Sequence, residues 1–203
     1  MKLLRLFFLI LFLIPCLSGL AQSKTVANIT EAYRFEAGNI ILFTAYAEQA
    51  DKEGLQKVAT FFRAIAKAAS VHAGNFQKVL SQIGVTVAPP SPSIHAGTTK
   101  LNLEDALKKV RVESGITYEQ YLDQAKTDGE DNAIKALRWA KETEQKSLQY
   151  FVNVDESLSR TDGGTLPAFY WVCPKCGNIY DIPDPEKECS FCYTEKEKFI
   201  NVK

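Results

Sequence analysis

The sequence predicts a mainly α fold, a four-helix bundle carrying a small metal-binding domain at its C-terminus, and three observations predict it. Four stretches repeat apolar residues at alternating steps of three and four, and a proline-rich stretch separates the second from the third. The last forty or so residues then change to cysteine, proline and aromatics, with their cysteines in two C-x2-C pairs.

At 203 residues, 46% hydrophobic and 24% charged, the chain can bury one full core plus an appendage. Its 24 basic and 24 acidic residues cancel. Beyond residue 21 the balance is 22 basic against 24 acidic, since Lys2 and Arg5 are lost with no acid. Neither balance leaves a footprint for nucleic acid or an anionic membrane surface.

Residues 1–21 read as a secretory signal peptide. Lys2 and Arg5 supply the positive start, Leu6 to Leu17 are apolar apart from Pro15, and Gly19-Leu20-Ala21 puts small residues at the cleavage point. The mature protein is expected to begin near Gln22 and to be exported, with the periplasm as its compartment. An uncleaved anchor is the alternative, but the apolar run is short against the roughly 20 residues that span a bilayer. Cys16 raises a lipoprotein alternative, against which stands Pro15 where a small residue should precede a lipidated cysteine.

The first helix spans about Ile29 to Lys52, with Ile29, Tyr33, Glu36, Ile40, Phe43 and Ala47 on its seam. Asp51-Lys52-Glu53-Gly54 is a tight corner, closed by a glycine that can turn left-handed. The second helix, Leu55 to Ile83, carries Leu55, Val58, Phe62, Ile65, Ala69, His72, Phe76, Val79 and Ile83, and Gly84 ends it. Residues 85–100, with Pro89, Pro90, Pro92 and Gly97, form an extended crossover that holds His95 as a loop side chain. Asn102 and Asp105 resemble a capping box that opens the third helix, whose seam is Leu103, Ala106, Val110 and Glu113. Gly115 predicts a kink or a division into two pieces before Tyr118, Tyr121, Leu122 and Ala125 resume the face. The fourth helix runs from about Asp131 to Leu158 through Leu137, Ala140, Glu144, Ser147 or Leu148, and Phe151. A tight corner, a long crossover and a second tight corner match the ferritin-like connection pattern, so residues 22–160 form one bundle.

Residues 161–203, after Thr161-Asp162-Gly163-Gly164, form a second domain too small to hold itself together without a metal, disulfides or a partner. Cys173, Cys176, Cys189 and Cys192 make C-x2-C-x12-C-x2-C, which suits one tetrahedral ion. Iron that shuttles an electron and zinc that only folds the tail both remain open, with two disulfides as a third reading. Gly177 lets the first knuckle turn; Tyr193 holds the equivalent place in the second, where the same turn is costlier.

Each helix also places one ionisable group on its apolar seam: Glu36, His72, Glu113 and Glu144. Three buried carboxylates require compensating positive charge, and no lysine or arginine sits on those seams. A cation would supply it, and carboxylates with imidazole suit iron, manganese or zinc.

These residues resemble the rubrerythrin family, a ferritin-like di-iron bundle followed by a rubredoxin-like iron domain. Trp171-Val172-Cys173-Pro174-Lys175-Cys176-Gly177 is similar to the first rubredoxin knuckle. In the bundle, Phe43-Thr44-Ala45-Tyr46-Ala47, Lys52-Glu53-Gly54 and Phe62-Arg63-Ala64-Ile65-Ala66 read like that family. The resemblance implies peroxide or oxygen as substrate, an electron-donor protein as partner, and iron in the four-cysteine site; paired ferritin-like bundles imply a homodimer. The family pattern implies ligands at Glu36, at Glu-x-x-His ending in His72, at Glu-x-x-Glu ending in Glu113, and at Glu-x-x-His starting from Glu144. Ala69, Val110 and Ser147 occupy three of those positions, so the expected bundle site holds one metal ion or a weak pair.

Overall fold

The computed structural model describes residues 23–160 and 165–203. The expected signal peptide with Cys16, and the Thr161 to Gly164 break, lie outside the described residues. Among the described residues, no helix is long and apolar enough to cross a membrane.

Helix α1, Lys24–Lys52, starts where the Ser23 hydroxyl accepts the Val26 amide at 3.3 Å. Gly54, at φ 77°, turns the chain into α2, Gln56–Gln82. That helix stops a residue early relative to its seam: Ile83 is 47% exposed, and Leu80 fills the core position instead. The long crossover is without helix or strand as expected. The next helix, α3, Thr99–Val112, begins before the expected capping box, because Thr98 caps it by accepting the Leu101 amide. Asn102 ties down the crossover instead, its amide bonding both polar groups of the Gly97 backbone at 2.8 and 3.1 Å.

The predicted kink is a π-helical stretch, Glu113–Thr117, continuing into α4, Tyr118–Asp128. The Tyr118 amide reaches the Glu113 carbonyl five residues back. Such widened turns rotate the following face, and here Tyr118 enters the bundle beside Glu113. Gly129, at φ 72°, closes that rod before α5, Asp131–Ser159.

Two apolar clusters fill the bundle, one at each end. Ile29, Phe76, Leu80, Tyr118 and Leu137 belong to one; Phe43, Phe61, Phe62, Leu103 and Phe151 belong to the other. The ionisable seam residues lie between them along the helices.

Three short antiparallel strands make the tail: β1, Tyr170–Val172, lies between β2, Ile179–Tyr180, and β3, Ile200–Val202. The tail does not stand apart as a self-contained unit. Tyr170, Val172 and Ile179 join the bundle's core, with the Tyr170 ring 5.9 Å from that of Phe61. A domain this small gains an adequate interior by sharing one.

Candidate metal centres

In the tail, two knuckles repeat one backbone pattern. The Gly177 amide reaches the Cys173 carbonyl at 3.0 Å, and the Tyr193 amide reaches that of Cys189 at 2.9 Å. Both turning residues are left-handed, Gly177 at φ 82° and Tyr193 at φ 57°. Tyr193 accepts the strain that the sequence anticipated, with its side chain 77% exposed. The four cysteines are free, buried and mutually close, with Sγ separations of 3.4 Å for Cys173 to Cys192 and 3.5 Å for Cys176 to Cys189. A tetrahedral ion with metal–sulfur bonds of about 2.3 Å needs edges of roughly 3.8 Å, so these sulfurs are pre-set for one. Hydrogen bonds from Cys173 and Cys176 lower the pKa of the Cys189 thiol.

Lys146 of α5 reaches this centre from the bundle. Its Nζ donates to Asn178 Oδ1 at 3.0 Å and to the Ile179 carbonyl at 2.8 Å, and lies 4.2 Å from the Tyr180 ring centre. Asn178 in turn directs its amide toward Cys189 Sγ, 3.9 Å away.

Within the bundle, Glu36, His72 and Glu144 converge; their donor atoms lie within 4.8 Å of one another. Glu113 lies outside that close group. Contrary to the expectation of no basic partner, Lys109 reaches in from off the seam and pairs with Glu113 at 2.7 Å, while Asn39 donates to it at 3.2 Å. One helical turn separates Lys109 from Glu113, a signal that was available in the sequence.

The His72 ring is the junction. Its Nε2 faces the Cys176 carbonyl at 3.1 Å and Thr143 Oγ1 at 2.9 Å. Thr143 spends its own proton on the Trp139 carbonyl, so both groups accept and Nε2 donates. Nδ1 lies 2.9 Å from Glu36 Oε1, which also accepts the Tyr118 hydroxyl at 2.7 Å. Something positive, a proton or a metal, must therefore lie between Nδ1 and Glu36.

Burial raises the pKa of Glu36, but the His72 charge and hydrogen bonds from His72, Glu144 and Tyr118 outweigh it and hold the carboxyl low. Glu144 goes the other way: burial, then the charges of Glu36 and Glu113, push it well above the usual range. Burial also raises Glu113, against the pull of Lys109. A cavity of about 20 Å³ lies beside these groups, and Ala69, Val110 and Ser147 line it. Sequence reasoning missed Asn39, Thr143 and Lys146, all polar residues on otherwise amphipathic helices. His95 is exposed in the crossover, as expected.

A rubrerythrin family model matches residues 27–151. Nigerythrin of Nitratidesulfovibrio vulgaris (strain Hildenborough) is 26% identical over 187 residues, covering 90% of this chain and 88% of its own. Rubrerythrin-1 of Clostridium acetobutylicum is 27% identical over 184 residues, covering 87% and 93%. The solved structure of fully reduced, all-ferrous nigerythrin superposes with a TM-score of 0.80 at 23% identity, covering 90% of this chain and 91% of that one.

Proposed function

Because the chain belongs to the rubrerythrin family of non-haem iron proteins, we propose that it is an exported oxidoreductase that passes electrons from its four-cysteine centre to a reactive site in the bundle, consuming peroxide or oxygen. The observation that carries this reading is the position of His72, which bonds the Cys176 carbonyl with one ring nitrogen and faces Glu36 with the other. A single side chain thus bridges the two centres, and short bonded links of this kind favour electron passage.

Iron suits the tail, whose four sulfurs fit a tetrahedral ion and whose Lys146 and Asn178 help offset its negative charge. When bound there, iron supplies electrons one at a time. Peroxide reduction to two waters consumes two electrons and two protons. Tyr118 holds a proton on Glu36, and His72 holds another at Nε2. Trp139, Trp171 and Phe191 pack around the cysteines and limit water there. A complete di-iron centre does not fit the residues present, because Ala69 and Val110 carry no donor and Ser147 donates to the Thr143 carbonyl at 2.9 Å. We therefore read the bundle site as incomplete, with a homodimer as the assembly and a donor protein feeding the tail.

One feature favours a second, non-catalytic reading, in which zinc merely folds the tail as an interaction module: Glu36, His72 and Tyr118 satisfy one another without a metal. A metal count with a visible spectrum separates the two. The expected protein holds tail iron that absorbs in the visible, bleaches on anaerobic reduction and regains colour when peroxide is added. A colourless zinc tail, or iron that peroxide fails to reoxidise, overturns the oxidoreductase reading.

A further inference from the structure

A surface groove of about 370 Å³ lies where α2, α5 and the first cysteine knuckle meet, and no acidic residue lines it. Lys78, Lys135 and Lys175 line it, all three exposed and none paired with a carboxylate among the described residues. Helix α2 adds to the sign, with Lys57, Arg63, Lys67 and Lys78 along it and no acidic side chain. Trp139 lines the groove too, its ring centre 5.7 Å from Lys175 Nζ and 5.9 Å from Lys135 Nζ, and it packs against the cysteine cluster. Lys175 ties the groove to that cluster. It stands between Cys173 and Cys176, its Nζ donates to the Cys192 carbonyl at 3.3 Å, and its own carbonyl accepts the Asn75 amide of α2 at 2.9 Å. Beyond Lys175 the surface changes sign, with Glu188 and Glu195 in the neighbouring hollow.

We propose that this groove docks an acidic electron-carrier protein, whose carboxylates meet Lys78, Lys135 and Lys175 and whose redox group comes to lie over Trp139. The inference rests on the reading of the tail as an electron-accepting iron centre, and it specifies where the donor binds and what charge the donor carries. Position selects a redox partner. An occupant of the groove touches Lys175, the neighbour of Cys176, and a ring that packs on the cysteines. Charge selects an acidic one, because three unpaired ammonium groups speed encounter with a negative surface and repel a positive one. Glu188 and Glu195 bound the basic face on one side, so a partner with carboxylates on one edge of its contact surface has a defined orientation. Shape disfavours a bilayer, since a hollow between two helices and a knuckle admits protruding side chains that a flat surface lacks. One electron leaves the carrier's reduced centre and turns ferric tail iron ferrous, and no atom is transferred.

The test uses the full chain and, as probe, a plant-type 2Fe–2S ferredoxin, an acidic one-electron carrier. Biolayer interferometry with the oxidised probe should show binding at low salt that disappears near about 0.5 M. Lys78→Glu with Lys135→Glu should weaken low-salt binding about ten-fold or more, whereas Lys57→Glu with Lys108→Glu, the same charge change on exposed lysines outside the groove, should leave it within about two-fold. Stopped-flow mixing adds the electron step. The groove variant should slow reduction of tail iron by the reduced ferredoxin about ten-fold, but not by reduced methyl viologen, a small cation that needs no docking site. Circular dichroism and tail metal content establish that each variant is folded. No low-salt binding, or an equal loss in both variants, overturns the proposal. So does binding of phosphatidylglycerol vesicles in place of the ferredoxin, or self-association of the chain that the groove variant abolishes. A zinc-filled tail would sink the oxidoreductase reading in the stopped-flow arm, while the binding arm still reports on the groove.

Discussion

At the scale of single residues, His72 does two jobs with one ring, and its replacement should uncouple them. His72→Ala should abolish bundle metal binding and loosen the tail's attachment while leaving one metal on the cysteines; His95→Ala should change neither, and metal analysis reads both. Glu144 gives a prediction in pH for the metal-free chain. Its folded pKa lies well above the ordinary value of 4.5, so between those two values the unfolded chain has released a proton that the folded chain retains. Stability is therefore fully present below about 4.5 and falls as pH rises, by up to about 1.4 kcal/mol per pH unit. Glu36, held low, acts oppositely, and its contribution is lost as pH falls below its ordinary range. Denaturant unfolding at several pH values should show the alkaline loss, and Glu144→Gln should flatten it. A slope unchanged in Glu144→Gln would refute the assignment.

At the scale of elements, the first knuckle is fitted against α2. A Cβ added at Gly177 would overlap His72 Nε2 and lie 2.8 Å from His72 Cδ2 and 3.2 Å from the Ala68 carbonyl, at a φ that L-residues avoid. Gly177→Ala should cost about 1–2 kcal/mol in backbone strain alone, more with the clash, and calorimetry should show it with the tail metal retained. The π stretch has a comparable role in the third rod, bringing the Tyr118 hydroxyl to Glu36. Reconstruction tests the helix register: Ala69→Glu, Val110→Glu and Ser147→His together should raise bundle stoichiometry toward two. Those three positions already line one cavity, which is the geometric requirement. Elemental analysis that finds no gain in the triple variant would show that side-chain identity alone does not limit the site.

For the whole molecule, the shared core changes what loss of the tail metal should do. Metal binding supplies folding energy in so small a domain, so Cys176→Ser should release the ion and unfold the tail. The helices should survive, but not unharmed. Tyr170, Val172 and Ile179 would leave Phe61 and its neighbours uncovered, a loss comparable to truncating a large core side chain, about 3–5 kcal/mol. A helical circular dichroism signal that melts at the wild-type temperature would show that the shared core contributes nothing.

Much of this was legible in the sequence because it depends on local periodicity. Seam spacing placed the helices, glycines marked their ends, and paired cysteines marked the tail's four-thiol cluster, since each follows from geometry within a few residues. Glu36, His72 and Glu144 were found the same way, as polar interruptions in apolar seams. Tertiary structure alone decided which of the interruptions belong together. Lys109 lies off the seam, yet its flexible stem reaches Glu113 and pairs with it. Asn39, Thr143 and Lys146 look like ordinary polar helix residues until α2, α5 and the tail are packed. The tail's union with the bundle core and the meeting of His72 with Cys176 join residues 104 apart, and only the closed fold fixes such distances.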